Sequence, residues 1–181
     1  MYFFIYQTKR NERVGHAILT GETLIGQEPF AVILADDLCT DTGDNVLKQM
    51  IAIYEKYQCS IVAIEEVPKK ETHKYGVIAG HLVDNTDDTY RVTDMIEKPT
   101  PEDAPSNMAI IGRYILTPDI FEILKETKPG KGGEIQITDA LLAQAQQGNV
   151  IAYRFKGKRF DCGSVDGFVE ATNYFYNKTK G

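Results

Sequence analysis

Cysteine is scarce in this chain, whose 181 residues include only Cys39, Cys59 and Cys162, with no CxxC pair among them. This spacing argues against a disulfide framework and against a zinc site, and it favours a reducing compartment, so we expect a cytoplasmic protein. An excess of positive charge is also missing. The net charge of −6 argues against nonspecific nucleic-acid binding, because proteins of that kind usually carry a basic patch.

Long hydrophobic runs are absent as well. No apolar stretch approaches the ~18 residues of a transmembrane helix, so we expect no membrane association. The apolar start of the chain is too short for a signal peptide and has no basic leader, and its aromatic and aliphatic residues predict a strand at Tyr2–Gln7. The sequence also has no glycine-rich loop that would cradle a phosphate upstream of the motifs described below.

What is present suffices for one folded domain. Hydrophobic residues make up 43% of the chain and no linker or repeat divides it, so we predict a single domain over residues 1–181. The apolar runs Phe30–Leu34 and Cys59–Val67 predict buried strands, and the first has the continuous pattern of a strand buried on both faces in a parallel sheet. Between them, Asn45–Tyr57 has helical spacing. This β-α-β order predicts an α/β fold.

The remaining pattern predicts antiparallel strands and further helices. The predicted elements are a helix starting near Gly15, strands at Tyr75–Val83, Thr89–Ile96, Met108–Leu116 and Val150–Phe155, and a final amphipathic helix at Ser164–Asn177. Thr117 is expected to open another helix as its N-cap, with Pro118 at the first helical position. Thr138 is expected to cap a helix in the same way.

The most informative motif pairs an acid with a base at the end of an apolar run, in Ile96-Glu97-Lys98-Pro99. A carboxylate accepts hydrogen bonds from sugar hydroxyls, and an adjacent ammonium neutralises a phosphate. The pair therefore suits a sugar phosphate. The alternative is a surface ion pair at a strand end, worth only about 0–1 kcal/mol.

Two aspartates, Asp36 and Asp161, each follow an apolar segment and are candidates to hold a divalent metal. Asp36 ends a predicted strand, where open α/β sheets bind ligands, and Mg²⁺ prefers a few hard oxygen ligands completed by water and phosphates. The alternatives are a turn residue at a strand end for Asp36 and an Asp-x-Gly turn for Asp161. Only folding could bring two such distant residues together.

These segments resemble, in their order, the bacterial UTP–glucose-1-phosphate uridylyltransferases within the sugar-phosphate nucleotidyltransferase family. The matching blocks are Gly15-His16-Ala17, Phe30–Asp37, Tyr75-Gly76-Val77, Glu97-Lys98-Pro99, Ala104–Asn107, Gly112–Leu116, Glu134–Ala140 and Asp161-Cys162-Gly163. The resemblance implies an α/β, Rossmann-like nucleotide-diphospho-sugar transferase fold with a mixed sheet. The family begins with a GxGTR nucleotide loop, which this sequence lacks. We therefore expect an N-terminally truncated chain, the C-terminal portion of a nucleotidyltransferase catalytic domain.

The resemblance also implies roles for the candidate residues. Lys98 and Asp36 would be catalytic, Lys98 at the phosphate of glucose 1-phosphate and Asp36 at Mg²⁺, with Asp161 as the second metal ligand. The implied substrate-binding residues are Gln7, Gly15, Gly76, Glu97, Lys98, Asn107, Ile110, Tyr114 and Phe160. For Tyr114 and Phe160 the alternative of a packed aromatic stays open.

Three residues within the matching blocks can be explained by a structural role. Asp37 and Arg113 are expected to be structural. Gly76 either allows a close backbone approach to the sugar or makes a kink in its strand.

The implied reaction is Mg²⁺-dependent transfer from UTP to glucose 1-phosphate, giving UDP-glucose and pyrophosphate. Two alternatives stay open. One is a non-catalytic or fragmentary sugar-phosphate-binding module. The other is a related thymidylyl- or other sugar-1-phosphate nucleotidyltransferase, because residues 12–14 depart from the family's uracil-contacting loop. We also expect a homo-oligomer in which Tyr2–Gln7 pairs between chains, because a sheet without its first strand exposes unpaired backbone edges.

Overall fold

The structure, a computed structural model, describes residues 14–40, 43, 45–83, 85–130, 133 and 135–180. The predicted strand at Tyr2–Gln7 and the candidate residue Gln7 lie outside the described residues. The described helices are α1 (Val14–Thr20), α2 (Glu22–Ile25), α3 (Val46–Tyr57), α4 (Ile120–Glu126), α5 (Ile137–Gln146) and α6 (Val165–Lys178). The described strands are β1 (Phe30–Ile33), β2 (Asp37–Cys39), β3 (Ser60–Glu66), β4 (Gly76–Leu82), β5 (Thr89–Glu97), β6 (Met108–Leu116), β7 (Val150–Arg154) and β8 (Arg159–Asp161).

The predicted mixed sheet is confirmed. Its strand order is β1-β6-β3-β7-β5-β4, and β4 also touches β6 through the pair Val77 and Ala109. Strands β3 and β7 run parallel, whereas β6 pairs antiparallel with both β1 and β3. A separate two-stranded ribbon joins β2 to β8. The first five residues of β3 are buried, as its apolar run predicted.

The environment predicted for the Phe30 strand is wrong. β1 pairs antiparallel with β6, which separates it from β3, and Ile33 at its end is 46% exposed. Within the described sheet β1 is therefore an edge strand, neither parallel to its neighbour nor buried on both faces. An apolar run predicts a strand, but its neighbour depends on the whole topology.

Helices cover both faces of the sheet and give two hydrophobic clusters. On one face, Ile18 of α1, Phe121 of α4 and Leu141 of α5 pack against the sheet, and Phe30 stacks on Phe121 with ring centroids 5.1 Å apart. On the other face, α3 buries Met50 completely. The sheet is thus the middle of three layers, the arrangement expected of an α/β protein.

Local capping explains where two of the predicted helices begin. The Asn45 side chain accepts a 2.8 Å hydrogen bond from the Leu47 N–H and opens α3, and Ser164 accepts a 3.1 Å bond from the Gly167 N–H and opens α6. Such side-chain caps satisfy backbone donors that have no partner within the helix.

The predicted cap of α4 is wrong, because the helix begins at Ile120, after Asp119. The Thr117 hydroxyl lies 3.1 Å from the Ser60 hydroxyl and accepts a 3.1 Å hydrogen bond from the Gln144 side chain. These tertiary contacts engage the group that was expected to cap the helix.

The three cysteines are free thiols, in keeping with the absence of a disulfide framework. Among the helices formed by the described residues, none has the length and apolar character that crossing a membrane requires.

Candidate active site

A cavity of about 290 Å³ lies where the carboxyl ends of β1 and β5 meet β4 and β6. Seven residues predicted from the sequence line it, and these are Asp36, Gly76, Glu97, Lys98, Ile110, Tyr114 and Asp161. The fold therefore gathers residues from five separate sequence segments into one place. Its volume is at the lower end of the range found for small-molecule sites.

Glu97 lines the cavity and is held there by Thr138, a residue that was predicted from the sequence to cap a helix. The Thr138 hydroxyl donates a 2.6 Å hydrogen bond to Oε2 of Glu97. Thr138 lies inside the first turn of α5, whose N-cap residue is Gln136, so the prediction that Thr138 caps the helix is wrong. Its hydroxyl bonds to Glu97 across the cavity lining instead.

Gly76 makes room for this contact. A Cβ at Gly76 would lie 3.0 Å from the Thr138 hydroxyl and 3.3 Å from Oε2 of Glu97. Both separations are tighter than ordinary van der Waals contact. Glycine is therefore needed at position 76 for packing within the protein, whether or not a ligand also approaches the backbone there.

Lys98 has an uncommon backbone conformation. Its φ of 47° lies in the left-handed region, which few residues other than glycine adopt, and its N–H donates a 2.9 Å hydrogen bond to the Tyr75 carbonyl. Strained backbone of this kind costs about 1–3 kcal/mol and is concentrated at functional sites. Lys74 also lines the cavity and forms a 3.2 Å ion pair with Glu71. Two lysine residues thus line the same cavity.

The two candidate metal ligands lie together. The Cys162 N–H donates a 2.7 Å hydrogen bond to the Asp36 carbonyl, at the end of the β2–β8 ribbon. A Cβ at Gly163 would lie 3.1 Å from Oδ1 of Asp161 and 3.3 Å from Oδ2 of Asp36, so both carboxylates border the space that the glycine leaves open. Among the described residues, no group of three or more metal-binding side chains occurs.

The other oxygen of Asp161 belongs to a polar network around the buried side chain of Arg159. The Tyr75 hydroxyl donates a 3.3 Å hydrogen bond to Oδ2 of Asp161 and accepts a 3.3 Å bond from Nη1 of Arg159. Arg159 also forms ion pairs with Asp37 and, at 3.6 Å, with Glu65. Although burial opposes its charge, hydrogen bonds to Asp37 and Tyr75 raise the pKa of Arg159 further above its usual range, so it stays a cation.

Asp37 and Arg113, which were expected to be structural, make hydrogen bonds that connect separate segments of the chain. Oδ2 of Asp37 accepts a 2.7 Å hydrogen bond from the Gly112 N–H, and Arg113 donates to the Leu34 carbonyl at 3.0 Å and to the carbonyl of Asp37. Together they tie β6 to the segment that carries Asp36.

Tyr114 is buried and keeps its proton. Burial raises the pKa of its hydroxyl, and the negative charges of Glu97 and Asp37 raise it further. The phenol is therefore neutral at physiological pH.

Three predicted substrate-binding residues lie elsewhere. Gly15 packs α1 so closely that a Cβ there would lie 2.5 Å from the Ile135 carbonyl oxygen. Asn107 is exposed and does not line the cavity. Phe160 is buried against Tyr174, with ring centroids 5.1 Å apart, which matches the alternative of a packed aromatic.

Sequence reasoning missed other cavity residues, and these are Lys74, Tyr75, Gln136, Thr138 as a partner of Glu97, and Arg159. Tyr75 and Lys98 flank the register pair of Gly76 and Glu97 in the β4–β5 hairpin, so the predicted hairpin carried a signal for Tyr75. Arg159 had no comparable signal, because its partners lie in distant segments.

The fold is that of an α/β protein, and its cavity brings together carboxylates that suit a metal ion and lysines that suit a phosphate. Residues 3–178 match the model of the family described as nucleotidyl transferase. The chain belongs to this family.

Similar proteins have more specific names. The chain is 68% identical, over 164 residues, to a UTP–glucose-1-phosphate uridylyltransferase of Pseudomonas aeruginosa, and the match covers 90% of this chain and 58% of that protein. It is 42% identical to the enzyme of the same name from Staphylococcus epidermidis, covering 93% and 58%. A solved UDP-glucose pyrophosphorylase complexed with UDP-glucose is 65% identical, with a TM-score of 0.89 and coverage of 94% and 64%. The chain thus spans about three fifths of the length of these relatives.

Proposed function

We propose that this chain supplies the sugar-phosphate side of an enzyme that transfers a uridylyl group from UTP to glucose 1-phosphate, giving UDP-glucose and pyrophosphate. The observation that carries the proposal is the convergence of Asp36 and Asp161 in one cavity with Glu97 and Lys98. The names of the similar proteins support the same reaction.

The proposed reaction requires that the two substrates be positioned and that the charge of their phosphates be neutralised. A phosphate oxygen of glucose 1-phosphate attacks the α-phosphorus of UTP, and pyrophosphate leaves as the bond to it breaks. Because the attacking oxygen is already anionic, no general base is needed. Lys98 neutralises the sugar phosphate and so reduces its repulsion from the triphosphate. Glu97, oriented by Thr138, accepts hydrogen bonds from the sugar hydroxyls.

Asp36 and Asp161 suit a divalent cation, and nucleotidyltransferases of this family generally use one. We propose Mg²⁺, because two carboxylates that leave the other positions to water and phosphate are typical of its sites. The space beside Gly163 that both carboxylates border supports this assignment. A cation bound there would neutralise charge on the substrate phosphates.

The test is pyrophosphate release from UTP, glucose 1-phosphate and Mg²⁺. We expect Asp36→Asn, Asp161→Asn and Lys98→Ala each to lower the rate about 100-fold or more, the loss typical of removing one electrostatic contact to a transition state. Asp166→Asn and Lys69→Ala make the same chemical changes outside the cavity lining and should leave the rate unchanged. Equal rates in the cavity and control variants would overturn the proposal.

Two other outcomes identify the alternatives. Glucose 1-phosphate binding that Lys98→Ala weakens, without pyrophosphate release, would indicate a non-catalytic sugar-phosphate-binding module. Faster release with dTTP than with UTP would indicate a thymidylyltransferase.

A homo-oligomer in the cytoplasm remains part of the proposal. Within the described sheet, β1 pairs along one edge only and Ile33 is 46% exposed, which favours association through that edge. Light scattering that gives the mass of a single chain would contradict the expected oligomer.

A further inference from the structure

Arg159 lies at the centre of a polar cluster that the proposed chemistry does not use directly. Its side chain is only 8% exposed, and it contacts carboxylates of β2, β3 and β8, namely Asp37, Glu65 and Asp161. Burying a charged group costs several kcal/mol of solvation unless partners compensate it, so this arrangement needs a strong local reason. The contact with Asp37 lies within the β2–β8 ribbon, and the contact with Glu65 of β3 joins that ribbon to the main sheet.

The contacts with Asp161 have a different character. Nη2 of Arg159 lies 3.6 Å from Oδ2 of Asp161, and its Nη1 reaches the same oxygen through the Tyr75 hydroxyl, by two hydrogen bonds of 3.3 Å. The guanidinium carbon also lies 4.9 Å from the centre of the Tyr75 ring, so stacking fixes the pair. Both contacts engage Oδ2.

With Oδ2 engaged, Oδ1 is the oxygen of Asp161 that borders the space beside Gly163. The Gly163 N–H donates a 3.2 Å hydrogen bond to Oδ1, and Oδ2 of Asp36 borders the same space. A carboxylate with 42% of its side chain exposed would otherwise exchange among rotamers. Partners that orient metal-binding carboxylates are a common feature of metal sites.

We propose that Arg159 and Tyr75 act together as positioning residues, which hold Oδ2 of Asp161 so that Oδ1 points with Asp36 at one divalent cation. This inference rests on the proposed function, because it assumes that Asp36 and Asp161 bind a metal. Neither residue contacts the cation or a substrate through this role. Their contribution is to hold the Asp161 side chain in one conformation before the cation binds.

The test measures binding of Mn²⁺ alone to the full chain by electron paramagnetic resonance, without substrates. We expect Tyr75→Phe and Arg159→Lys each to weaken Mn²⁺ binding about 10-fold, the lower end of the usual effect of changing a group that orients a ligand. The double variant should bind about as weakly as either single variant, because both changes act through the same carboxylate. Asp161→Asn marks complete loss of this ligand.

The matched controls are Tyr90→Phe and Arg154→Lys. Arg154 forms a 2.7 Å ion pair with Glu66, and neither control residue lines the cavity. Both should bind Mn²⁺ as the unchanged chain does. Thermal unfolding of every variant separates loss of the fold from loss of positioning. Tyr75→Phe removes only a hydroxyl, so it keeps the test decisive if Arg159→Lys unfolds.

The outcomes separate this inference from the proposed function. Mn²⁺ binding that depends on Asp161 but is unchanged in folded Tyr75→Phe overturns the positioning role and leaves the metal assignment standing. Binding that is absent, or that does not depend on Asp161, overturns both. Weakened binding in the variants supports the inference even where the chain releases no pyrophosphate.

Discussion

The Thr138 hydroxyl donates a 2.6 Å hydrogen bond to Oε2 of Glu97, across 41 residues of sequence. Thr138 is buried at the first turn of α5, and Glu97 ends β5, so the bond ties a helix to the strand end that carries the candidate sugar-binding carboxylate. Because the bond uses one oxygen of Glu97, it also fixes the direction of the other.

Replacing Thr138 by valine keeps the shape of the side chain and removes the donor. We expect Thr138→Val to lower the free energy of unfolding by about 1–3 kcal/mol, because a partly buried carboxylate loses a hydrogen bond. Glucose 1-phosphate should also bind more weakly, because Glu97 is no longer oriented. Urea unfolding and calorimetric titration measure the two effects. Thr93→Val, on the exposed part of β5, is the control, and equal binding by the two variants would contradict the role of Thr138.

Gly163 allows a different prediction, in which metal binding and stability respond separately. In Gly163→Ala the added Cβ would lie 3.1 and 3.3 Å from the oxygens of Asp161 and Asp36, so we expect Mn²⁺ or Mg²⁺ binding to fall. Gly163 is exposed, so the free energy of unfolding should stay within about 1 kcal/mol of its original value. Titration of the metal and thermal unfolding of the same sample check both statements. Undiminished metal binding would show that the cation lies elsewhere.

The adjacent residues Asp36 and Asp37 should respond oppositely to the same substitution. Asp36 is exposed, and Asp36→Asn should leave the free energy of unfolding nearly unchanged while it removes metal binding. Asp37 is 7% exposed and pairs with the buried Arg159, so Asp37→Asn should cost about 3 kcal/mol, as breaking a buried ion pair does. Urea unfolding of the two variants in parallel is the measurement. Similar losses in both would show that the roles of the two residues are not separate.

Sequence patterns predicted the helices and strands that are determined by residues close together in the chain. The helix α3 and the strand β3 follow from apolar periodicity and the Asn45 cap, and the β4–β5 hairpin follows from alternation around a turn. The edge position of β1 could not be read in this way, because an apolar run looks the same whichever strand lies beside it. Similarly, Thr138 has the residue type of a helix cap, and only the fold reveals its bond to Glu97.

The sequence predicted many residues of the candidate site, but it did not predict the strand pairing and ion pairs that bring them together. Asp36 and Asp161 meet because three-residue strands β2 and β8 pair across more than a hundred residues, and strands this short carry no detectable periodicity. The same pairing brings Arg159 to Asp37. The family resemblance implied that the two aspartates bind one metal together, but it did not indicate the ribbon that joins them.

The pH dependence of stability gives a test of the Arg159 cluster through Glu65. Burial raises the pKa of the Glu65 carboxyl, and the nearby Arg159 only partly opposes this effect. Between the usual pKa and the raised one, the folded chain binds more protons than the unfolded chain. The contribution of Glu65 to stability is therefore most favourable in acid and declines as the pH rises through that window.

Replacing this carboxyl should therefore help more at neutral pH than in acid. We expect the stability of Glu65→Gln, relative to the unchanged chain, to be higher at about pH 7 than at about pH 4, because only the ionised carboxyl carries the cost of burial. Urea unfolding of both proteins at the two pH values measures the difference. Glu66→Gln, on an exposed residue paired with Arg154, should differ from the unchanged chain by no more than about 0.5 kcal/mol at either pH. A relative stability of Glu65→Gln that falls from acid to neutral pH would mean that attraction to Arg159 outweighs burial, and that Glu65 stabilises the cluster as an anion.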